Sequence, residues 1–238
     1  MASFIGASGN NAGASTFLTT SSNLNVSVGD LIVVGVGAGT NVTTMTMTDS
    51  QGGGLNTYNA HPNNGFQINS PGKKMWSFYS LIASGSASMS FTSTANASSG
   101  MGLNITQYRG YLASPLDVSG TAVADSGTTT SHSPGTLSTT GANDTIVGVN
   151  VEIPVSAQTF TAGSGWTIGR QDGATAGCPT MTQYQLGQAL GNFTNNFTTA
   201  VATQDGGMIW AFKETGWVPQ AAVNPVMLMN RKNVLYFI

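Results

Sequence analysis

The residues that could carry out acid–base or metal chemistry are few in this chain and far apart in sequence. His61 and His132 stand in polar stretches, and neither has a second ligand at the spacing that zinc sites use. We therefore expect both to be surface histidines. Cys178 stands in the stretch AGCPT, and a lone cysteine without a surrounding motif is typically a small buried hydrophobic residue. No G-x-S-x-G elbow marks a serine nucleophile.

The carboxylates do not form a recognisable catalytic or calcium-binding motif. Asp30 and Asp144 occupy equivalent places before two similar apolar stretches, where a side chain can accept backbone N–H groups of a turn. Asp49 and Asp205 could each offer oxygen to calcium, but no D-x-[DN]-x-[DN]-G loop is present. The sequence therefore predicts no catalytic residue, no metal and no cofactor.

One stretch of the sequence is repeated in similar form more than a hundred residues later. Residues 29–37 read GDLIVVGVG, and residues 143–150 read NDTIVGVN. Each copy leads into a similar succession of alternating, aromatic and Ser/Thr-rich segments. Self-similarity at an offset predicts one sheet-building unit used twice.

The apolar patterns predict strands throughout. Residues 31–36 and 145–151 are nearly continuous apolar runs, as expected of central strands that are buried on both faces. Met45 and Met47 alternate with threonines, which is the period of a half-buried strand. No segment shows helical periodicity over three turns. We expect an all-β fold, a jelly-roll-like β-sandwich built from two degenerate repeats, with four or five strands in each sheet.

These patterns also divide the chain into segments. We expect an N-terminal strand or arm at 1–24, a β-sandwich at 25–214 with halves 25–113 and 142–214 joined by a traverse at 114–141, and an extended C-terminal arm or hairpin at 215–238.

Composition restricts the setting in which the protein works. Charged residues make up 7% of the chain against roughly 25% in an average domain, and the net charge is −2. A surface of Ser, Thr, Asn, Gln and Gly suits a particle whose subunits cover one another. No basic patch is available for nucleic acid, no apolar run predicts a membrane span, and no signal peptide is evident, so we expect synthesis in a cytoplasm.

The segment after residue 216 is the candidate partner-binding site. Residues 217–225, WVPQAAVNP, contain two prolines and predict an extended linker; VMLM, NRKN and VLYFI then predict an apolar hairpin. The candidate partner-binding residues are Trp217, Val226, Met227, Leu228, Met229, Val234, Leu235, Tyr236, Phe237 and Ile238. The hairpin either joins a neighbouring subunit or folds back over an edge strand of its own domain.

Aromatic residues near predicted loops offer a second type of site. Tyr58, Phe66, Tyr108, Tyr111 and Trp217 could stack on sugars, although core or interface packing is the plainer interpretation.

Several motifs across roughly residues 25–214 carry a resemblance to a known group of proteins. They are GDLIVVGVG, MTDSQGG with NTY, SFYSLIASGSASMSFTST, LNITQYRGYLASPLDVSG, NDTIVGV, FTAGSGWTIGRQDG and MIWAFKE. This succession resembles β-sandwich proteins found among the virion proteins of tailed bacteriophages and as modules of bacterial surface proteins. The motifs are structural, and the segment from Trp217 onward lies outside them.

The resemblance and the missing catalytic constellation together predict a non-enzymatic virion structural protein. We expect a capsid decoration or cement protein that binds the shell of a tailed phage and stabilises it; the alternative is a tail fibre, spike or adhesin module that binds a host surface glycan. Its partners would be the major capsid protein or another virion protein and further copies of itself, with a trimer favoured. It would be made in the host cytoplasm and located in the virion.

Overall fold

Antiparallel strands form the whole regular framework of the described residues. The computed structural model describes residues 1–69, 72–125, 127–153, 157–173 and 177–220, together with two short strands beyond them. No helix occurs within these ranges, as the sequence predicted. The strands are β1 Ser3–Thr19, β2 Leu24–Val26, β3 Leu31–Gly39, β4 Met45–Asp49, β5 Asn59–Ala60, β6 Phe66–Ile68, β7 Lys73–Leu81, β8 Ser86–Met89, β9 Phe91–Arg109, β10 Tyr111–Ser119, β11 Val123–Ala124, β12 Thr129–His132, β13 Thr136–Ser138, β14 Gly141–Glu152, β15 Phe160–Ala162, β16 Thr167–Asp172, β17 Thr180–Gln188, β18 Asn192–Thr194, β19 Phe197–Thr203, β20 Asp205–Pro219, β21 Leu228–Met229 and β22 Leu235–Tyr236.

Two large sheets dominate the fold. The first has the order β1-β9-β3-β7-β5, with β4 on β9 and β6 on β7; the second has the order β10-β20-β14-β17-β16, with β11 on β20. The predicted central strands are confirmed, since β3 lies between β9 and β7, and β14 lies between β20 and β17. With seven and six strands, both sheets are larger than the four or five strands predicted.

The two sheets draw on different halves of the chain and share a strand order. The spatial orders are β1-β9-β3-β7 and β10-β20-β14-β17. In each sheet, the long strand that comes first in the chain lies beside the one that comes last, and the second and third long strands follow in that order. Two copies of one unit would produce this order. A jelly roll alternates between its sheets along the chain, whereas each main sheet here collects consecutive strands, so the jelly-roll connectivity is not confirmed.

The main core lies between the two sheets. Leu31 and Val33 of β3 pack in one cluster with Val147 and Val149 of β14 and with the β20 residue Trp210. Full burial of side chains of this size contributes about 1.5–3 kcal/mol each. This inner packing fixes the two sheets against each other.

The outer faces of both sheets are also covered. Ile32 and Val34 of β3 pack under Met45 and Met47 of β4, so the first sheet covers its own outer face. On the second sheet, the small strands β12, β13, β15, β18 and β19 lie outside β14 and β20. Buried side chains therefore occur on both sides of each central strand, including polar ones.

Several strand boundaries differ from the prediction. The 19 residues of β9 form one continuous strand, because β1 pairs with β9 over most of its length. The predicted traverse at 114–141 contains most of β10 and all of β11, β12 and β13. The first segment of the chain is a paired strand.

Candidate functional site

The predicted attachment segment begins later than the sequence indicated. The sandwich was predicted to end at residue 214, but its strand β20 continues to Pro219. Its last residues pair with the start of β14, Val218 opposite Ala142 and Pro219 opposite Gly141. The prediction of a linker from Trp217 is therefore wrong, because β14 begins early enough to offer these residues a hydrogen-bonding edge.

Trp217 packs against its own sandwich. Lys213 Nζ lies 5.3 Å from the centre of the indole ring, which is within cation–π range. Gly141 lies so close below the ring that a Cβ there would come 2.5 Å from Cε2 of Trp217. The indole is half-buried in the described chain.

The predicted hairpin is present as a backbone pairing. Leu228 lies opposite Tyr236 and Met229 opposite Leu235 in an antiparallel pair. Among the described strands, β21 and β22 pair only with each other. The other predicted partner-binding residues, Val226, Met227, Val234, Phe237 and Ile238, lie outside the described residues.

Both histidines are buried, so the expectation of surface histidines is wrong. His61 is 2% exposed and packs edge-on against Trp210 with ring centres 4.5 Å apart. The backbone N–H of Asn63 donates to His61 Nδ1. Burial lowers the pKa of His61 to about 4, so the ring is neutral at pH 7.

His132 lies at the centre of a buried hydrogen-bonded chain that has the order of a catalytic triad. Its Nδ1 lies 2.5 Å from Asp125 Oδ2, and its Nε2 lies 3.0 Å from Thr199 Oγ1. The Thr199 hydroxyl donates to the carbonyl of Val201 at 3.0 Å. The single proton of the Thr199 hydroxyl has two acceptors within reach, His132 Nε2 and the Val201 carbonyl, so the order of the contacts does not by itself make His132 a general base. The chain of contacts fixes β12 against β19.

Two buried carboxylates lie close to this chain. Glu152 and Asp205 are directly opposite each other in the pairing of β14 with β20, and both are fully buried. None of their four carboxylate oxygens has a hydrogen-bond partner. Burial raises the pKa of Glu152 to about 8; burial, Glu152 and Asp125 raise the pKa of Asp205 well above its usual range. Both groups therefore favour the protonated form near neutral pH.

The predicted equivalence of Asp30 and Asp144 extends to their cross-strand neighbours, but the two sites differ in charge pairing. Asp30 accepts the backbone N–H of Ser27, as predicted, and pairs with Arg109 at 2.7 Å. Asp144 lies opposite Lys213 in β20, and neither of its buried oxygens has a hydrogen-bond partner. Asp30 is thus satisfied as an anion and Asp144 is not.

The pKa values of the two aspartates move in opposite directions for this reason. Burial raises the pKa of Asp30, but hydrogen bonds from Arg109, Ser27 and Gln107 more than offset it and the net pKa is lowered. Burial, with the nearby Asp117, raises the pKa of Asp144 to about 7.

Glu214 is a buried carboxylate that has hydrogen-bond donors on both of its oxygens. Its Oε1 accepts from the Thr145 hydroxyl at 2.9 Å and from the Gly187 N–H at 2.7 Å, and its Oε2 accepts from the Ala2 N–H at 2.9 Å. It joins β1 to the second sheet. Glu214 also lines a cavity of about 460 Å³ beside Met1.

The aromatic residues singled out from the sequence are mostly engaged. Tyr108 and Tyr111 are buried in the core, as the packing interpretation predicted. The Tyr58 hydroxyl donates to Asp49 at 2.7 Å. Phe17 is the aromatic residue that sequence reasoning missed: its side chain is 60% exposed on β1.

Cys178 is a free, fully buried thiol, as predicted. Burial raises its pKa to about 12, so the reactive thiolate is disfavoured. Within the ranges that the structure describes, no group of three or more His, Cys, Asp or Glu side chains is placed to hold a metal ion. The same ranges contain no helix of the length and hydrophobicity needed to cross a membrane.

Comparison of the sequence with models of known protein families and with curated proteins gave no match.

Proposed function

We propose that this protein is a non-enzymatic structural component of a virion, a decoration protein that binds the shell of a tailed bacteriophage and stabilises it. The observation that carries the proposal is the hairpin of β21 and β22, which follows the last strand of the sandwich and pairs with no other described strand. An apolar hairpin can add to the open edge of a neighbouring sheet, where main-chain hydrogen bonds supply affinity.

The position of β20 suits this function mechanically. β20 lies between β10 and β14, and its pairing with β14 extends from Asp205 to Pro219. A load applied to the hairpin would pass along the chain into a central strand that is hydrogen-bonded on both sides. To pull the hairpin away with β20, the hydrogen bonds on both sides of this strand would have to break. An edge strand is held by hydrogen bonds on one side only.

The surface chemistry is consistent with many copies packed side by side. The whole chain contains only 16 charged residues, namely 7 Lys and Arg and 9 Asp and Glu. Neutral polar surfaces can adjoin one another without like-charge repulsion.

The resemblance to virion proteins is the reason for placing the protein in a phage particle. The number of copies in each virion tests this proposal. Purified virions of the phage that encodes the chain should contain it in many copies on the shell, visible by cryo-electron microscopy as a regular array of knobs. A few copies at the tail would instead favour the receptor-binding alternative, and complete absence from virions would contradict both.

A further inference from the structure

An exposed surface of the first sheet presents a regular array of threonines. Three neighbouring strands form it, with β9 in the middle and β1 and β4 on either side. In one row Thr94 lies between Thr46 and Phe17, and in the next Thr92 lies between Thr48 and Thr19. We call these six residues the threonine face.

Burial alternates along all three strands, so these side chains point outward together. Leu18, Met45, Met47 and Ser93, which alternate with them in sequence, are buried on the inner side. The residues of the threonine face are exposed or half-exposed. Adjacent strands are about 4.8 Å apart and alternate residues about 6.6 Å apart, so the face is a small two-dimensional grid.

The face is rigid and uncharged. Five of its six residues are threonines, whose branched Cβ restricts χ1. The hydroxyls of Thr19 and Thr92 are 2.8 Å apart and hydrogen-bond each other. Exposed sheet surfaces usually carry charged residues that oppose unwanted association, but none of these six side chains ionises.

Phe17 is the one apolar side chain of the threonine face. Its ring is 60% exposed, and it shares a row with Thr94 and Thr46. The Phe17 N–H donates to Ser15 Oγ at 3.1 Å, which fixes the local backbone. An exposed ring beside fixed hydroxyl groups matches a ligand that has an apolar side and many hydroxyls of its own.

We propose that the threonine face binds a neutral polysaccharide. The C–H face of a pyranose ring would stack on Phe17, and the sugar hydroxyls would exchange hydrogen bonds with the threonine hydroxyls. An apolar protein surface would leave those hydroxyls without partners at a cost of about 1–3 kcal/mol each. An acidic polysaccharide would find no cation on the face. This binding is separate from the attachment function, because it uses the sheet that does not contain β20.

The experiment measures retardation of the full chain in native gels that contain a neutral glucan, mannan or galactan, or alginate as an acidic control. We expect retardation by at least one neutral polymer and none by alginate. Phe17→Ala should weaken the affinity roughly tenfold, the value of one stacked ring. Thr94→Lys should weaken it as well, since it places a long charged side chain in the middle of the grid.

Leu55→Ala is the matched control, because Leu55 is 56% exposed in a loop outside the threonine face. It should bind as the unchanged chain does, and thermal unfolding should show that all three variants are folded. The proposal is overturned if no neutral polymer retards the protein, or if Phe17→Ala binds as well as the Leu55→Ala control. Self-association that Thr94→Lys abolishes would assign the face to a second copy of the chain and would also overturn it.

Discussion

Glu152 and Asp205 lie directly opposite each other in the pairing of β14 with β20, both fully buried and both without a hydrogen-bond partner. Two carboxylates in these positions cannot both be charged without a large cost in desolvation and mutual repulsion. The pair therefore makes the stability of the fold depend on pH at one end of the β14–β20 ladder.

The first prediction is that the free energy of unfolding decreases as pH rises from about 4.5 to about 8. The pKa of Glu152 rises from 4.5 to about 8 on folding, so the folded state keeps a proton that the unfolded chain releases. This stabilising contribution is fully present below pH 4.5 and is lost as pH rises through about 8. Urea titrations at pH 5 and pH 9 measure it.

Glu152→Gln is the variant that isolates this contribution. The amide cannot ionise, so it should stabilise the fold at pH 9, with Tm rising by about 2–4 °C for each kcal/mol gained. At pH 5 it should be neutral or slightly destabilising. His61 contributes with the opposite sign between its folded pKa of about 4 and its usual value of 6.5, and the comparison of variant with parent removes that effect. Equal pH profiles for the two proteins would contradict the prediction.

The second prediction concerns the ion pair of Asp30 with Arg109. Arg109→Gln should destabilise the protein, since it leaves a carboxylate that is 1% exposed without its charge partner, although the Arg109 side chain is itself 49% exposed and Asp30 keeps its bonds from Ser27 and Gln107. Because the folded pKa of Asp30 is lowered, this stabilisation is present above its usual pKa and lost as pH falls through the folded value.

Lys213→Gln provides the matched comparison for Arg109→Gln. Lys213 occupies the corresponding place opposite Asp144 in the second sheet, and its Nζ lies over the Trp217 ring. We expect a change of about 0.5–1 kcal/mol, the value of an exposed cation–π contact. Chemical denaturation of both variants at pH 7 decides the matter, and a Lys213→Gln effect as large as that of Arg109→Gln would contradict this account.

The third prediction tests how the sheets pack. A Cβ on Gly35 would come 2.5 Å from Val149 Cγ1 across the sandwich, so Gly35→Ala should destabilise the fold by about 1–3 kcal/mol. Gly127→Ala is the control, because a Cβ there meets nothing within 4 Å. Thermal unfolding of both variants measures the difference, and equal effects would show that the sheets can separate at little cost.

The sequence predicted the central strands well because burial on both faces leaves a direct trace in composition. The prediction of β3 and β14 needed only the apolar residues within each strand. On β20, Met208 and Trp210 face the inner core and Ile209 the outer one, which is the alternation expected of a strand covered on both faces. These features are local, and a period-two pattern is enough to find them.

The histidines and Phe17 were missed because their surroundings come from distant segments. His61 packs against Trp210, which is 149 residues away, and its own stretch, NAHPNN at residues 59–64, has no large apolar residue. Phe17 is exposed because β1 turns Leu18 inward, and only the pairing with β9 sets which side is out. Composition predicted the type of surface but could not place it on the fold.

The attachment claim has one direct test, which is the binding of the chain to shells that lack it. Residues 221–238 should be deleted, leaving β20 intact to Pro219 and Gln220 hydrogen-bonded to Thr140. We predict that the shortened protein unfolds at an unchanged temperature and no longer sediments with the shells, whereas the full chain sediments with them and raises their melting temperature. Sedimentation of the shortened protein to the same extent would contradict the account and would leave the hairpin as a cover for its own sandwich.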